Sequence, residues 1–104
     1  MSENNLHQEA VKMLEKYPTK IPIILEPIGI DLKHVKFLVE KEISFAKFIS
    51  IVRDQNKLNS SQSFIFFINK LLPCNTSLVS DLYHKNKADD FILHIHVRIE
   101  NTFG

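Results

Sequence analysis

The stretch Ser44–Val52, SFAKFISIV, is the segment on which the fold turns. Phe45, Phe48, Ile49 and Val52 fall at i, i+3, i+4 and i+7, so a helix gathers them into one apolar stripe. Ser44 stands one position ahead of the stripe, where its hydroxyl can accept an orphan backbone N–H, and it predicts the N-cap. Ile51 lies off the stripe. A helix with one such face needs an apolar surface to cover, and the sequence on both sides reads as strands.

Upstream, IPIILE (21–26) is a β-branched apolar run that predicts a buried strand, with Pro22 tolerable near its start or on an edge. Pro27 and Gly29 punctuate a loop. VKFLV (35–39) predicts a second strand, with apolar side chains on both faces of what should be a sheet edge. Such an edge is either an aggregation liability or a docking site. Nearer the N-terminus, Asn5 and Gln8 resemble a capping box, and Leu6, Ala10, Met13, Leu14 and Tyr17 recur at helical spacing. They predict a helix over 6–16 that Pro18 ends. Downstream, SFIFFI (63–68) is apolar on both faces, as expected of a central strand covered on one side by a helix. NKLLP adds a turn and a short extended piece, SLVSDLYHK a short helix, and DDFILHIHVRIE a long closing strand. The order predicts an α+β fold with a mixed four-to-five-stranded sheet and one main packed helix. It matches the β-grasp of ubiquitin with a short N-terminal helical extension.

Composition narrows the function. At 104 residues the chain reads as one domain with its own core. Thirteen Lys and Arg against 12 Asp and Glu leave a formal charge of +1, which gives no global field for nucleic acid or an anionic membrane. A single cysteine, Cys74, excludes an internal disulfide and a multi-Cys zinc site. MSENNLHQEA lacks the basic and apolar regions of a secretory signal, so a cytoplasmic location is expected.

Chemistry-bearing residues are sparse. His94 and His96 alternate on one strand and share a face, but no Cys, Asp or Glu at ligand spacing completes a metal site around them. Asp89 and Asp90 would point to opposite faces if extended. Cys74 lacks a recognisable base and reads as a packed or partly exposed thiol. No phosphate loop or nucleophile elbow is present, and no enzyme activity is expected.

KYPTKIPIILE, KFLV, FIFFINKLLP, DLYHKNKADDFIL and ENTFG occur in the order and nearly the spacing of the autophagy-related protein 8 family, which the chain resembles over about residues 9–104. The resemblance implies a ubiquitin-like modifier with no cofactor and no nucleic-acid partner. Residues 1–17 would be a helical extension shorter than in relatives, 18–100 the β-grasp domain, and 101–104 a conjugation tail. Gly104 would be the residue joined to phosphatidylethanolamine, and a glycine without a Cβ leaves its carboxylate unhindered. Phe103 would be gripped by the processing protease and the activating enzyme. A conjugating enzyme would complete the transfer, moving the cytoplasmic protein to an autophagosomal or other organelle membrane.

The family likeness also implies recognition of receptor or adaptor peptides carrying an aromatic-x-x-aliphatic motif, which add as a strand to the sheet edge. The aromatic pocket would use Glu9, Met13, Pro22, Lys36, Leu38 and Ile92. The aliphatic pocket would use Phe37, Val39, Ile43, Phe48 and Ile51, with Lys20 and Arg53 on a basic rim. Two departures make this groove less positive than in relatives. Glu40 stands where the family usually has proline, and Asp54-Gln55 replaces a basic pair. The alternative is a ubiquitin-like binding module that is not lipidated, or one joined to a protein lysine as in the autophagy-related protein 12 branch.

Overall fold

The computed structural model of the chain describes residues 2–100. Its elements are α1 (Ser2–Lys16), β1 (Lys20–Pro27), β2 (Lys36–Glu40), α2 (Phe45–Asn56), β3 (Phe64–Phe67), α3 (Val79–Asn86) and β4 (Leu93–Ile99). The sheet runs β2-β1-β4-β3. The outer pairs are antiparallel and the central pair, β1 with β4, is parallel.

α2 forms as its periodicity requires. Ser44 caps it by accepting from the Lys47 N–H at 3.1 Å. Lys57 ends it in a left-handed conformation at φ 52°, its N–H returning to the Arg53 and Asp54 carbonyls. Phe45, Phe48 and Val52 are buried against Ile23 and Leu25 of β1, Phe66 of β3, and Leu93, Ile95 and Val97 of β4. Strand alternation turns Pro22, Ile24, Lys36 and Leu38 to the opposite face of the sheet. Part of that face is covered by α1, whose Ala10 is buried.

The β1–β2 register explains Pro22. The Leu25 N–H donates to the Val35 carbonyl and the Lys41 N–H to the Thr19 carbonyl. With the registers Ile23↔Phe37 and Ile21↔Val39 between them, the hydrogen-bonded pairs fall on odd residues. Pro22↔Leu38 is therefore a non-hydrogen-bonded pair. Pro22 also precedes Ile23↔Leu93, where the β1–β4 pairing begins. The missing proline N–H breaks no ladder bond on either side.

Four sequence expectations are corrected. α1 begins at Ser2, ahead of the expected start, so Asn5 lies inside the helix and not at its N-terminus. SFIFFI is an edge strand and not a central one: β4 flanks it on one side only. Its second apolar face is covered by a side chain, since Phe67 stacks on His96 with ring centroids 5.2 Å apart. NKLLP supplies a single bridge, Ile68↔Leu71, around Asn69 and Lys70 at φ 50° and 69°, so the sheet has four strands. The closing strand starts only at Leu93, because Asp90 accepts from the Ile92 N–H at 2.9 Å and holds residues 88–91 in a turn.

Candidate functional site

β2 is the free edge beside β1, and a cavity opens on each of its faces. On the α1 side a cavity of about 180 Å³ is lined by Glu9, Ala10 and Met13 of α1, Pro22 and Ile24 of β1, Lys36 and Leu38 of β2, and Ile92. All six residues expected to form an aromatic pocket border this one space. Their union has a simple cause: Ala10 is small enough to bring α1 close, while Met13 and Glu9, one turn apart, stand at the rim. The Lys36 ammonium lies 3.8 Å from the Glu9 carboxylate and ties β2 to α1 across the opening.

On the α2 side a wider cavity of about 400 Å³ is lined by Phe37, Val39, Ile43 and Ile51, with Lys20, His34, Glu40 and Gln55 around it. Four of the five residues expected in an aliphatic pocket border it. Phe48 does not: it is fully buried beneath, its ring edge-on to Phe37 at 5.7 Å. It supports the wall without forming it. Ile51 reaches the cavity because it lies off the core stripe of α2.

The basic rim divides in the same way. Lys20 lines the wider cavity, its ammonium 5.7 Å from the Tyr17 ring. Arg53 lines neither. Its guanidinium donates to the Asn59 and Gln62 carbonyls at 3.0 and 3.2 Å and lies 5.1 Å from the Phe64 ring, closing the loop between α2 and β3. Gly104 and Phe103 lie outside the described residues.

The ladder that accommodates Pro22 also fixes which backbone groups the edge presents. Because odd residues of β2 bond to β1, the N–H and C=O groups of Lys36 and Leu38 and the N–H of Glu40 point outward. The Glu40 carbonyl accepts from the Ile43 N–H in the following turn. An extended segment could continue the sheet here, with a cavity waiting on either face for alternate side chains.

A second cluster was missed by local spacing. The parallel register sets Glu26 beside β4, 3.1 Å from His94 Nδ1 and 3.9 Å from His96 Nε2, and Asp90 lies 2.9 Å from His94 Nε2. Acidic partners thus do stand beside the two histidines, contrary to the spacing argument. Among the described residues no group of three or more is placed to hold a metal. Glu26 and His96 are 70 positions apart in sequence, and only the strand order could have paired them.

An α+β chain whose central helix crosses a four-stranded mixed sheet is ubiquitin-like, and the additional helix α1, N-terminal to that fold, narrows the class further. The family model for the ubiquitin-like autophagy protein Atg8 matches residues 5–104. Autophagy-related protein 8 of Schizosaccharomyces pombe is 34% identical over 102 residues, covering 92% of this chain and 83% of that protein. Autophagy-related protein 8a of Arabidopsis thaliana is 33% identical over 100 residues, covering 92% and 82%. The crystal structure of Trypanosoma brucei ATG8 superposes with a TM-score of 0.87 at 26% identity, over 98% of this chain and 91% of that one. Plasmodium falciparum Atg8, solved in complex with an Atg3 peptide, gives 0.83 at 24% identity over 93% and 89%. The chain belongs to the Atg8 family of ubiquitin-like autophagy proteins.

Proposed function

We propose that the chain is a modifier and not an enzyme, conjugated through Gly104 to phosphatidylethanolamine, and that its β2 edge recruits peptides carrying an aromatic-x-x-aliphatic motif. The observation that supports the groove is the pair of cavities on opposite faces of one free edge strand. Neighbouring residues of an extended peptide alternate in direction, so anchors three apart fall on opposite faces. The aromatic anchor would enter the α1-side cavity and the aliphatic anchor the α2-side cavity. The Plasmodium falciparum neighbour holds an Atg3 peptide, so the fold accepts a peptide ligand in at least one member.

For conjugation the support is membership of the family together with the ENTFG terminus. The partners would be the activating and conjugating enzymes, a processing and deconjugating protease, and the membrane through the attached lipid. Among the described residues no helix is long and apolar enough to cross a membrane.

Reconstitution tests this. With the activating and conjugating enzymes, ATP and phosphatidylethanolamine liposomes, the full chain should give a lipid-shifted band and the Gly104 deletion none. The deletion should melt at the same temperature, since the last hydrogen bond of the described sheet, Glu100 N–H to the Ser63 carbonyl at 2.8 Å, is left in place. Conjugation of the deletion variant at the unaltered rate would sink the assignment of Gly104.

A further inference from the structure

Glu40 ends the edge strand with its side chain on the face it shares with Lys36 and Leu38, because residues two apart on a strand point the same way. It is exposed at the end of β2. Its carboxylate has no ion-pair partner among the described residues. Its cross-strand neighbour in the register is Lys20, whose ammonium lies over the Tyr17 ring. Lys41 and Glu42, next along the chain, offset each other in sign. Lys36, by contrast, is paired with Glu9, while Lys20 has no carboxylate partner among the described residues and rests on an aromatic ring. The groove thus ends on an uncommitted negative charge.

We infer that Glu40 sets a sequence preference in the bound peptide, selecting lysine or arginine at the position immediately after the aliphatic anchor. The inference rests on the groove reading under Proposed function and names the partner more closely. Both cavities border Lys36, Phe37 and Leu38, but only the α2-side cavity extends on past Val39 to Ile43, so it is displaced toward the C-terminal end of β2. An aromatic-first motif must therefore run parallel to β2. With the aromatic residue alongside Lys36, the third residue lies alongside Leu38 and the fourth, aliphatic, alongside Val39 on the α2 face. The fifth returns to the α1 face alongside Glu40. A cation there meets the free carboxylate at the mouth of the groove; a glutamate or aspartate meets like charge. The outward Glu40 N–H holds the peptide backbone in that register.

Calorimetry with the full chain and two peptides, identical except for Lys or Glu after the aliphatic anchor, tests the preference. A second pair carries the same exchange two residues before the aromatic anchor and serves as a control for general charge. The Lys peptide should bind roughly fivefold tighter than the Glu peptide, as expected of exposed charge pairs. The ratio should shrink at high salt. In Glu40→Gln it should fall close to one, while the ratio for the control pair stays where it was. Equal affinities in the unaltered chain, or a ratio that survives Glu40→Gln, would overturn the inference and leave the groove intact. Failure of every peptide to bind would instead remove the groove reading, and this inference with it.

Discussion

Asn56 holds the backbone of His34 by both ends of its amide. Its Oδ1 accepts from the His34 N–H at 2.8 Å, and its Nδ2 donates to the His34 carbonyl at 3.0 Å and to the Val52 carbonyl at 3.1 Å. The last turn of α2 is thereby fastened to the segment that leads into β2. Since His34 borders the α2-side cavity, this clamp sets the spacing between the edge strand and the helix that forms its far wall.

Asn56→Ala should lower the unfolding free energy by about 1 kcal/mol, because water replaces much of what the amide supplied at this half-buried site. Urea titration would measure it. Binding of an aromatic-x-x-aliphatic peptide should weaken as well, though Asn56 borders neither cavity. Unchanged affinity in a destabilised Asn56→Ala would show that the clamp serves the fold alone.

Leu38→Ala should reduce peptide affinity by roughly 1–3 kcal/mol through lost apolar contact, read by calorimetry. Lys36→Glu should weaken acid-flanked peptides by placing like charge beside Glu9 at the opening. It should barely alter the melting temperature, because an exposed pair such as Lys36–Glu9 contributes little to stability.

Tyr83 gives the fold an alkaline limit. It is buried, its hydroxyl donates to the Phe91 carbonyl at 2.8 Å, and burial, helped by the nearby Asp90 carboxylate, pushes its pKa above the ordinary 10.0. The folded state then holds the proton more tightly than the unfolded one. The resulting stability is fully present below pH 10.0 and is lost as pH rises through the folded-state value. Tyr83→Phe should be less stable at neutral pH by about 1 kcal/mol. Its deficit should narrow in chemical denaturation above pH 10.0. A constant deficit across that range would exclude titration of Tyr83 as the cause.

Much of this was legible in the sequence because it is local. The stripe of Phe45, Phe48, Ile49 and Val52 dictates α2, and the displaced Ile51 points to a surface task beside it. KFLV on a strand announces an edge with two apolar faces. Long-range pairing was not legible. Phe64–Phe67 looks central because both its faces are apolar, yet one of them is covered by the ring of His96. Arg53 looks like a rim cation from its place near the groove, but its long side chain turns to the loop after α2 and binds carbonyls there. Glu26 becomes a partner of His94 and His96 only through the parallel β1–β4 register, which no local periodicity encodes.

The two cavities make one further demand, on peptide spacing. They lie on opposite faces of β2, and an extended strand sends side chains to opposite faces only when their separation is odd. A motif with two intervening residues satisfies this and spans about 10 Å between anchors. With one or three intervening residues the second anchor turns back to the α1 face, where Leu38 and Glu40 stand and the α2-side cavity is out of reach. Peptides of those spacings should lose the burial of a whole aliphatic side chain, about 1.5–3 kcal/mol, or roughly tenfold to a hundredfold in affinity. Ile51→Ala should weaken the two-residue-spaced peptide and leave the residual binding of the others alone, because only the former reaches Ile51. Equal binding across all three spacings, or equal sensitivity to Ile51→Ala, would mean that the ligand does not lie along β2 as a strand.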